Sequence, residues 1–478
     1  MGDGAGSGVP SPPDGRAWDL VVLGGGTAGL VGSQIAASTG ASVLLVERRR
    51  LGGDCLWTGC VPSKALLAAA AAAAEARAAG RLGVSTAGVT VDFAAVRRHV
   101  HGAVAAIEPV DSAPALERAG VRVALGGARF TGPAGLDVAG VPVRFRAALL
   151  ATGSAPALPG VPGLAEAAPL TTDSVWELAE LPDRLVVLGG GSTGCELAQA
   201  FARLGSRVVL AEQAPRLLAG EDPEAADLVT DALRADGVDV RLGAAVSRVR
   251  AGVVELAGTE LGYDRLLVAA GRRPVTDCGP DAAGIARTGT GAVRVDRTLR
   301  TTAPRVWAAG DVTEHPRYTH VAGVHGALAA TNAVLGLRRR VDPVVPRVTF
   351  TSPELAAVGA VAASGHTVRT VRHEHVDRAV AEGRTAGFTR LVVDGRGRVV
   401  GGTIVGPRAG ESLAELTLAV RHRMRVGALV ATMHAYPTFG DGVWNAAIAD
   451  LRARLGSGPA AVAAGGLRRA RRLLDRRG

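Results

Sequence analysis

The residues best suited to chemistry lie in one short stretch, GGDCLWTGCVPSKALL, where Cys55 and Cys60 are separated by four residues and Lys64 follows. In an ideal helix, positions five apart have Cα atoms about 8–9 Å apart. A disulfide needs them within roughly 7 Å. A bonded pair therefore requires a distorted turn, and Gly59 and Pro62 supply the break. Cys-x4-Cys is not the spacing of zinc-ligand pairs, and no second Cys/His pair accompanies it. The pair reads as a redox-active dithiol rather than a structural staple. Cys195 and Cys278 stand alone and read as ordinary small residues. His373 and His375 flank Glu374 with no other ligands nearby in sequence, so no metal site is assigned. Lys64 is the single lysine among 54 basic residues. One ammonium beside the cysteine pair, in a chain that otherwise uses arginine, suggests a task that a planar guanidinium does not perform.

The elements that must position these residues announce themselves as a duplication. VVLGGGTAGLVGSQIAASTGASVLLVE runs from Val21 to Glu47, and VVLGGGSTGCELAQAFARLGSRVVLAE runs from Val186 to Glu212, 165 positions later. Each copy predicts an aliphatic strand, a break at G-x-G-x-x-G, a helix and a second strand, which is the dinucleotide-binding βαβ unit. Gly24 and Gly189 allow the tight turn, and Gly26 and Gly191 admit a pyrophosphate to the helix N-terminus. Gly29 and Gly194 let helix and strand pack closely. Glu47 and Glu212, each 18 residues past its third glycine, can accept both ribose hydroxyls. Two copies imply two dinucleotides. Glu212 repels a 2′-phosphate, so NADH is preferred at the second site, while Arg207 and Arg216 keep NADPH open.

Composition bounds the rest. The chain has 478 residues, 48.3 kDa and 47% apolar residues, enough for two to three well-cored domains and not a disordered or collagen-like chain. Aromatics at 3% argue against stacking platforms for single-stranded nucleic acid. No uncharged apolar run is long enough, and free enough of Gly and Pro, to span a bilayer. The Gly-, Pro- and Ser-rich residues 1–17 read as a flexible, disordered tail and not a signal peptide, so a cytoplasmic location is expected. Net charge is +10, but residues 451–478 hold eight arginines against Asp475, which leaves the body near neutral. That tail reads as a solvated, partly frayed end, with membrane or nucleic-acid contact as the secondary reading.

Further motifs complete a resemblance. ATGS at Ala151–Ser154, AAGRRP at Ala269–Pro274, AAGD at Ala308–Asp311 and VTFTSPELAAVG at Val348–Gly359 follow in order. With the duplication and the cysteine pair, they make residues 18–450 similar to the class I pyridine nucleotide-disulfide oxidoreductases. The resemblance implies an α/β chain: two Rossmann-like dinucleotide-binding domains, for FAD and NAD(P), plus a C-terminal α+β interface/dimerisation domain. The implied boundaries are 18–155 and 273–342 for FAD, 156–272 for NAD(P), 343–455 for the interface domain and 456–478 for the basic tail. It assigns the first βαβ to FAD, with Ala128, Thr152, Gly153, Ser154, Gly310, Asp311 and Thr319 as further FAD contacts. Asp311 resembles the residue that holds the ribityl-phosphate portion. Gly271 joins Gly189, Gly191, Gly194 and Glu212 at NAD. Lys64 resembles the lysine beside flavin N5, paired with a glutamate that corresponds to Glu196.

The resemblance implies that NADH reduces the flavin and the flavin reduces the disulfide. Cys60 would be the thiol beside the flavin and Cys55 the interchange thiol. Family members that exchange disulfides use a histidine of the partner subunit, so a homodimer is implied. The matching run is His434-Ala-Tyr-Pro-Thr-Phe-Gly-Asp441, where Tyr436 takes the base position and Asp441 that of its carboxylate partner. A phenol with pKa near 10 is a poor base at neutral pH. His434 lies two residues earlier and is the alternative acid/base. Asp54 replaces the usual threonine before Cys55. The acceptor, a small-molecule or protein-bound species, stays open among lipoamide-type disulfides, metal ions and, bypassing the disulfide, quinones. A redox-responsive binding protein tethered by its basic tail is the reading from another class. No nucleic-acid partner is expected.

Overall fold

The structure is a computed structural model that describes residues 8–361, 365–456 and 458–476. Its chain divides into two compact units, one of residues 1–189, 203–207 and 246–343, the other of 190–202, 208–245 and 344–478.

The first unit is built on a seven-stranded sheet. Aliphatic Trp18–Leu23 runs parallel between Val43–Glu47 and the long strand Val141–Leu150, with Leu20 opposite Val43 and Ala147. The first half of Val141–Leu150 pairs antiparallel with Gly135–Val138, and its second half pairs parallel with Val306–Ala308. Strand order therefore reverses at Trp18–Leu23, and ligands of such sheets bind at the carboxyl ends of the strands at that switch point. One face buries Val21, Leu44, Phe130, Phe145 and Val306. The other buries Leu20, Val22, Leu45 and Leu149 beneath helices Thr27–Ser38 and Thr319–Leu335. Those helices approach through glycine: a Cβ on Gly326 would stand 2.2 Å from the Ala28 carbonyl oxygen. Parallel strands Arg184–Leu188, Arg265–Val268 and Leu170–Thr171 belong to the same unit. So does the antiparallel pair of Arg272–Pro274 with Ser154–Pro156.

In the second unit, Asp239–Leu242 pairs parallel with Arg207–Glu212 from Val209 onward. An antiparallel sheet orders Arg347–Thr349, Glu354–Gly359, Val399–Gly406, Phe388–Val393 and Thr367–Arg372. Its core is closed by Leu413, Leu416, Val443 and Ala447 from helices Ala409–Arg421 and Asp441–Leu455.

Three segments bear on these expectations. Of the flexible tail expected over 1–17, residues 1–7 lie outside the described residues, whereas 8–17 are pinned. Val9 packs on the core, and Asp14 accepts from the backbone N–H of Arg16 and pairs with Arg146 at 3.0 Å. The helical run Gly53–Leu82 is long and apolar enough by composition to cross a membrane, because its alanines outweigh Lys64, Glu75, Arg77 and Arg81. It breaks after Trp57 and buries Leu66, Ala70 and Ala73. The basic C-terminal stretch forms a helix, Gly458–Leu474, as its Ala, Leu and Arg content favours.

Candidate active site

The first G-x-G-x-x-G loop rounds the end of Trp18–Leu23. Gly24 takes φ +107°, and a Cβ there would lie 2.3 Å from the Ala151 carbonyl oxygen, so only glycine fits. A Cβ on Gly29 would lie 1.9 Å from the Gly24 oxygen, which keeps the helix against its strand. Glu47 braces the loop: its carboxylate accepts the N–H of Gly25 at 2.7 Å and of Arg49 at 2.7 Å. Each oxygen retains lone-pair capacity for a ribose hydroxyl. A cavity of about 620 Å³ opens here. Gly24, Gly26 and Glu47 share it with Ala128, Thr152–Ser154, Gly310, Asp311 and Thr319. Thr152 donates to the Val275 carbonyl at 2.6 Å, and the Ser154 hydroxyl donates to Asp311 at 2.7 Å.

Cys55 lines the same cavity from the short helix Gly53–Trp57. Cys60 opens the next helix, Cys60–Ala78. Thr58 (φ −138°) and Gly59 (φ −127°, ψ −111°) leave helical geometry between them, which is the break the spacing demanded. A Cβ on Gly59 would stand 2.8 Å from the Asp54 carbonyl oxygen, so the return is too tight for a side chain. Pro62 falls in the first turn, where no intrahelical N–H bond is lost. No disulfide joins the two cysteines in this structure; Cys55 is half-buried and Cys60 exposed. Cys60 Sγ is 3.1 Å from Thr319 Oγ1, at the first position of helix Thr319–Leu335. The Cys55 thiol is pushed up by its hydrogen bond with Cys60, then by burial and by the charge a Cys60 thiolate places beside it. The Thr319 hydroxyl opposes that shift. Lys64 sits one turn after Cys60, its Nζ 3.4 Å from Ser63 Oγ.

The second fingerprint repeats the first down to its hydrogen bonds. Gly189 takes φ +112°, and a Cβ there would stand 2.6 Å from the Ala269 carbonyl oxygen. Gly271, two residues on from Ala269, takes φ +122°. Within the other unit, Glu212 accepts the N–H of Gly190 at 2.6 Å and of Ala214 at 2.7 Å. Gly191 is exposed and Gly194 buried in helix Ser192–Leu204. Glu196, on that helix, is buried and accepts the Phe350 N–H at 2.9 Å.

The C-terminal trio departs from expectation. The Tyr436 hydroxyl donates to Asp377, not Asp441, and that bond, reinforced by charge, pushes the phenol above its ordinary value. Asp441 is buried and instead accepts the Thr438 N–H at 3.0 Å, at the start of helix Asp441–Leu455. The assignment of Asp441 as partner of Tyr436 is thus corrected. His434 faces the Thr432 carbonyl at 2.9 Å through Nδ1 and Glu415 at 2.7 Å through Nε2. Both its nitrogens are therefore engaged by acceptors within its own unit. His373 is a core residue: its Nε2 bonds Thr389 Oγ1 at 3.1 Å, and burial lowers its pKa to about 4.

A family model described as pyridine nucleotide-disulphide oxidoreductase matches residues 18–326, and one for its dimerisation domain matches 345–447. The chain belongs to this family. It is 37% identical to a mercuric reductase of Streptomyces lividans over 90% of this chain and 95% of that protein. It is 34% identical to a dihydrolipoyl dehydrogenase of Chlamydia muridarum over 90% and 96%. The Cu(II) complex of the HOCl-induced flavoprotein disulfide reductase RclA from Escherichia coli matches with a TM-score of 0.81, 26% identity and coverage of 91% and 99%.

This pyridine nucleotide-disulphide oxidoreductase is an FAD-dependent enzyme with NAD(P)H as electron donor, and its dimerisation domain supports a homodimer. The cavity fits a dinucleotide: Gly24, Gly26 and Gly53 line it, and even a Cβ on Gly26 would meet no atom nearer than Gly53 Cα at 3.7 Å, which leaves the helix N-terminus open to a pyrophosphate. FAD, when bound, supplies the hydride chemistry; the protein supplies position and electrostatics.

Sequence reasoning missed Arg272. Its guanidinium donates to Ser154 Oγ at 2.7 Å, Ser154 O at 3.0 Å and Thr172 Oγ1 at 3.1 Å, and it binds the Asp54 carboxylate. Asp173 and Asp311 stand 3.9 Å away. The signal was present in the AAGRRP motif, of which only the glycine was used. Trp57 was missed too: its Nε1 donates to the Leu51 carbonyl at 2.6 Å, and Arg50 lies 3.9 Å over the ring.

Proposed function

We propose that this enzyme carries electrons from NADH to a soft, thiol-binding metal ion held at Cys55 and Cys60. The observation that carries the reading is the missing base. Exchange with an external disulfide needs a group that takes and returns a proton at the leaving thiol. Tyr436 is held in its protonated form by Asp377, and both nitrogens of His434 meet acceptors. A metal ion needs no such base, because thiolate coordination itself displaces the thiol protons. It also offsets the raised Cys55 pKa. For Hg(II) the net reaction balances: NADH and Hg(II) yield NAD⁺, a proton and elemental mercury. The similarity to a mercuric reductase supports the same class of acceptor.

In this reading Cys60 lies beside the flavin, with Lys64 and Glu196 serving the flavin's reactive edge, and Cys55 receives the acceptor. FAD is held by Gly24, Gly26, Gly29, Glu47, Ala128, Thr152–Ser154, Gly310, Asp311 and Thr319. NADH is held by Gly189, Gly191, Gly194, Glu212 and Gly271. Glu212 prefers NADH because its carboxylate repels a 2′-phosphate. The three-domain division at 155, 272 and 342, and a cytoplasmic site, belong to the same proposal.

The test is anaerobic: the NADH-reduced holoenzyme is mixed with Hg(II), Cu(II), lipoamide, glutathione disulfide or a soluble quinone, and reoxidation is timed. Hg(II) should act at least tenfold faster than lipoamide, and only in protein that retains both Cys55 and Cys60. Reoxidation by lipoamide at the Hg(II) rate would refute the argument from the missing base. Equal quinone turnover in Cys55→Ser would place the acceptor away from the thiols.

A further inference from the structure

The helix Gly458–Leu474 is not used by the chemistry above, and its residues segregate by type around the helix axis. At 100° per residue, Val462, Ala463, Gly466, Leu467, Ala470, Leu473 and Leu474 occupy one continuous arc of about 140°. Arg468, Arg469, Arg471 and Arg472 occupy the opposite arc, and the turn after Leu474 adds Arg476 and a single acid, Asp475, which pairs with Arg471 at 3.1 Å. The apolar arc is uncovered: Val462 is 77% exposed, Leu467 73%, Leu473 62% and Leu474 65%. A surface helix of a globular protein turns such a stripe toward its own core. This one presents it to solvent alongside five guanidinium groups.

We propose that this helix docks the enzyme onto an anionic lipid surface. It would lie in the plane of the interface, with the leucine arc in the headgroup–acyl boundary and the arginines at the phosphates. Charge complementarity selects the occupant. An apolar arc bordered by arginines that far outnumber the one acid matches a negatively charged interface, where each basic group adds to binding and long side chains reach up to the headgroups. A second copy of the same helix would cover the leucines but leave the arginines of both copies without counter-charge. Nucleic acid would take the arginines and leave the leucines in water, and no aromatic residue stands on the helix to stack on bases. With its arginines the helix cannot span; at about 1.5 Å per residue its 17 residues lie some 25 Å along the surface.

The intact holoenzyme would be floated with vesicles of 30% phosphatidylglycerol in phosphatidylcholine, and with pure phosphatidylcholine, in 0.1 M and 0.5 M salt. Binding should be at least tenfold tighter to the anionic vesicles and should fall at least tenfold at the higher salt. Leu467→Asp with Leu474→Asp should abolish it, while NADH oxidation with a soluble acceptor stays at the parent rate. That unchanged turnover shows that the variant folds. The inference is overturned if the parent fails to float, or if the double variant binds as tightly as the parent. It is equally overturned if a DNA duplex binds more tightly than the vesicles at the same salt, or if the variant changes oligomeric state instead of vesicle binding.

Discussion

Arg272→Gln is the perturbation whose cost the structure lets us work out. The guanidinium is 23% exposed and makes three hydrogen bonds to uncharged acceptors: two on Ser154, a buried residue, and one on Thr172. At about 1 kcal/mol net for each, these contribute about 3 kcal/mol. The Asp54 carboxylate is 52% exposed, so its ion pair adds at most about 1 kcal/mol. Asp173 and Asp311, each 3.9 Å from the guanidinium, lose a counter-charge worth about 1 kcal/mol apiece in a water-like dielectric. Glutamine recovers one hydrogen bond, which leaves a net loss on the order of 5 kcal/mol. At about 2 °C per kcal/mol for a unit of this size, the thermal midpoint should fall by roughly 10 °C. The assay is scanning calorimetry or circular dichroism on the purified protein at fixed cofactor loading. Arg272→Lys should recover only part of the loss, because one ammonium cannot reproduce the fork. A midpoint within about 2 °C of the parent for Arg272→Gln would show that water replaces these contacts and that the cluster is not held by this side chain.

Other expectations follow from single contacts. His373 is buried with its pKa lowered from 6.5 to about 4, so the unfolded chain binds its proton first as pH falls. Stability should therefore drop between pH 6.5 and 4, by about 2 kcal/mol at pH 5 from this residue. His373→Gln should flatten the slope seen in urea titrations across that window. Gly326→Ala should cost at least about 3 kcal/mol, because its Cβ meets the Ala28 carbonyl at 2.2 Å. Gly323→Ala, whose nearest neighbour is a methyl at 3.5 Å, should be neutral or stabilising; the two thermal midpoints decide. Glu212→Gln keeps an acceptor for the loop amides and removes the charge. The ratio of kcat/KM for NADPH over NADH should rise about tenfold, and an unchanged ratio would take the carboxylate out of nucleotide choice.

The parts legible in the sequence were those encoded in short, local spacing. The two glycine loops bend where Gly24 and Gly189 stand, and each terminal glutamate returns to its loop 22 residues earlier. The Cys55–Cys60 break falls at Gly59, as the distance between the two cysteines required. Side-chain partnerships were another matter, because they are made across the fold. Arg272 reaches residues 100, 118 and 218 positions away. Tyr436 turns to Asp377, 59 positions away, although Asp441 lies only five positions on in the chain. Nothing in either local pattern ranks one carboxylate above another; packing decides.

The same reasoning explains why the duplication did not remain symmetric in use. Both loops keep a carboxylate bonded to two backbone amides, so each glutamate is doing structural work before any nucleotide arrives. That constraint holds the charge at position 212 irrespective of donor choice, and NADH preference can then be a by-product of loop bracing. Glu47 and Glu212 differ in what surrounds them. The first is followed by Arg48, Arg49 and Arg50, all lining the cavity. The second is followed by Gln213 and Ala214. Three arginines thus crowd the first glutamate, whereas after the second the next arginine is Arg216, four positions on. On the FAD and NADH assignment proposed above, the denser charge accompanies the flavin copy, and the sparser charge suits a ligand released in every turnover, since tighter phosphate binding would slow release.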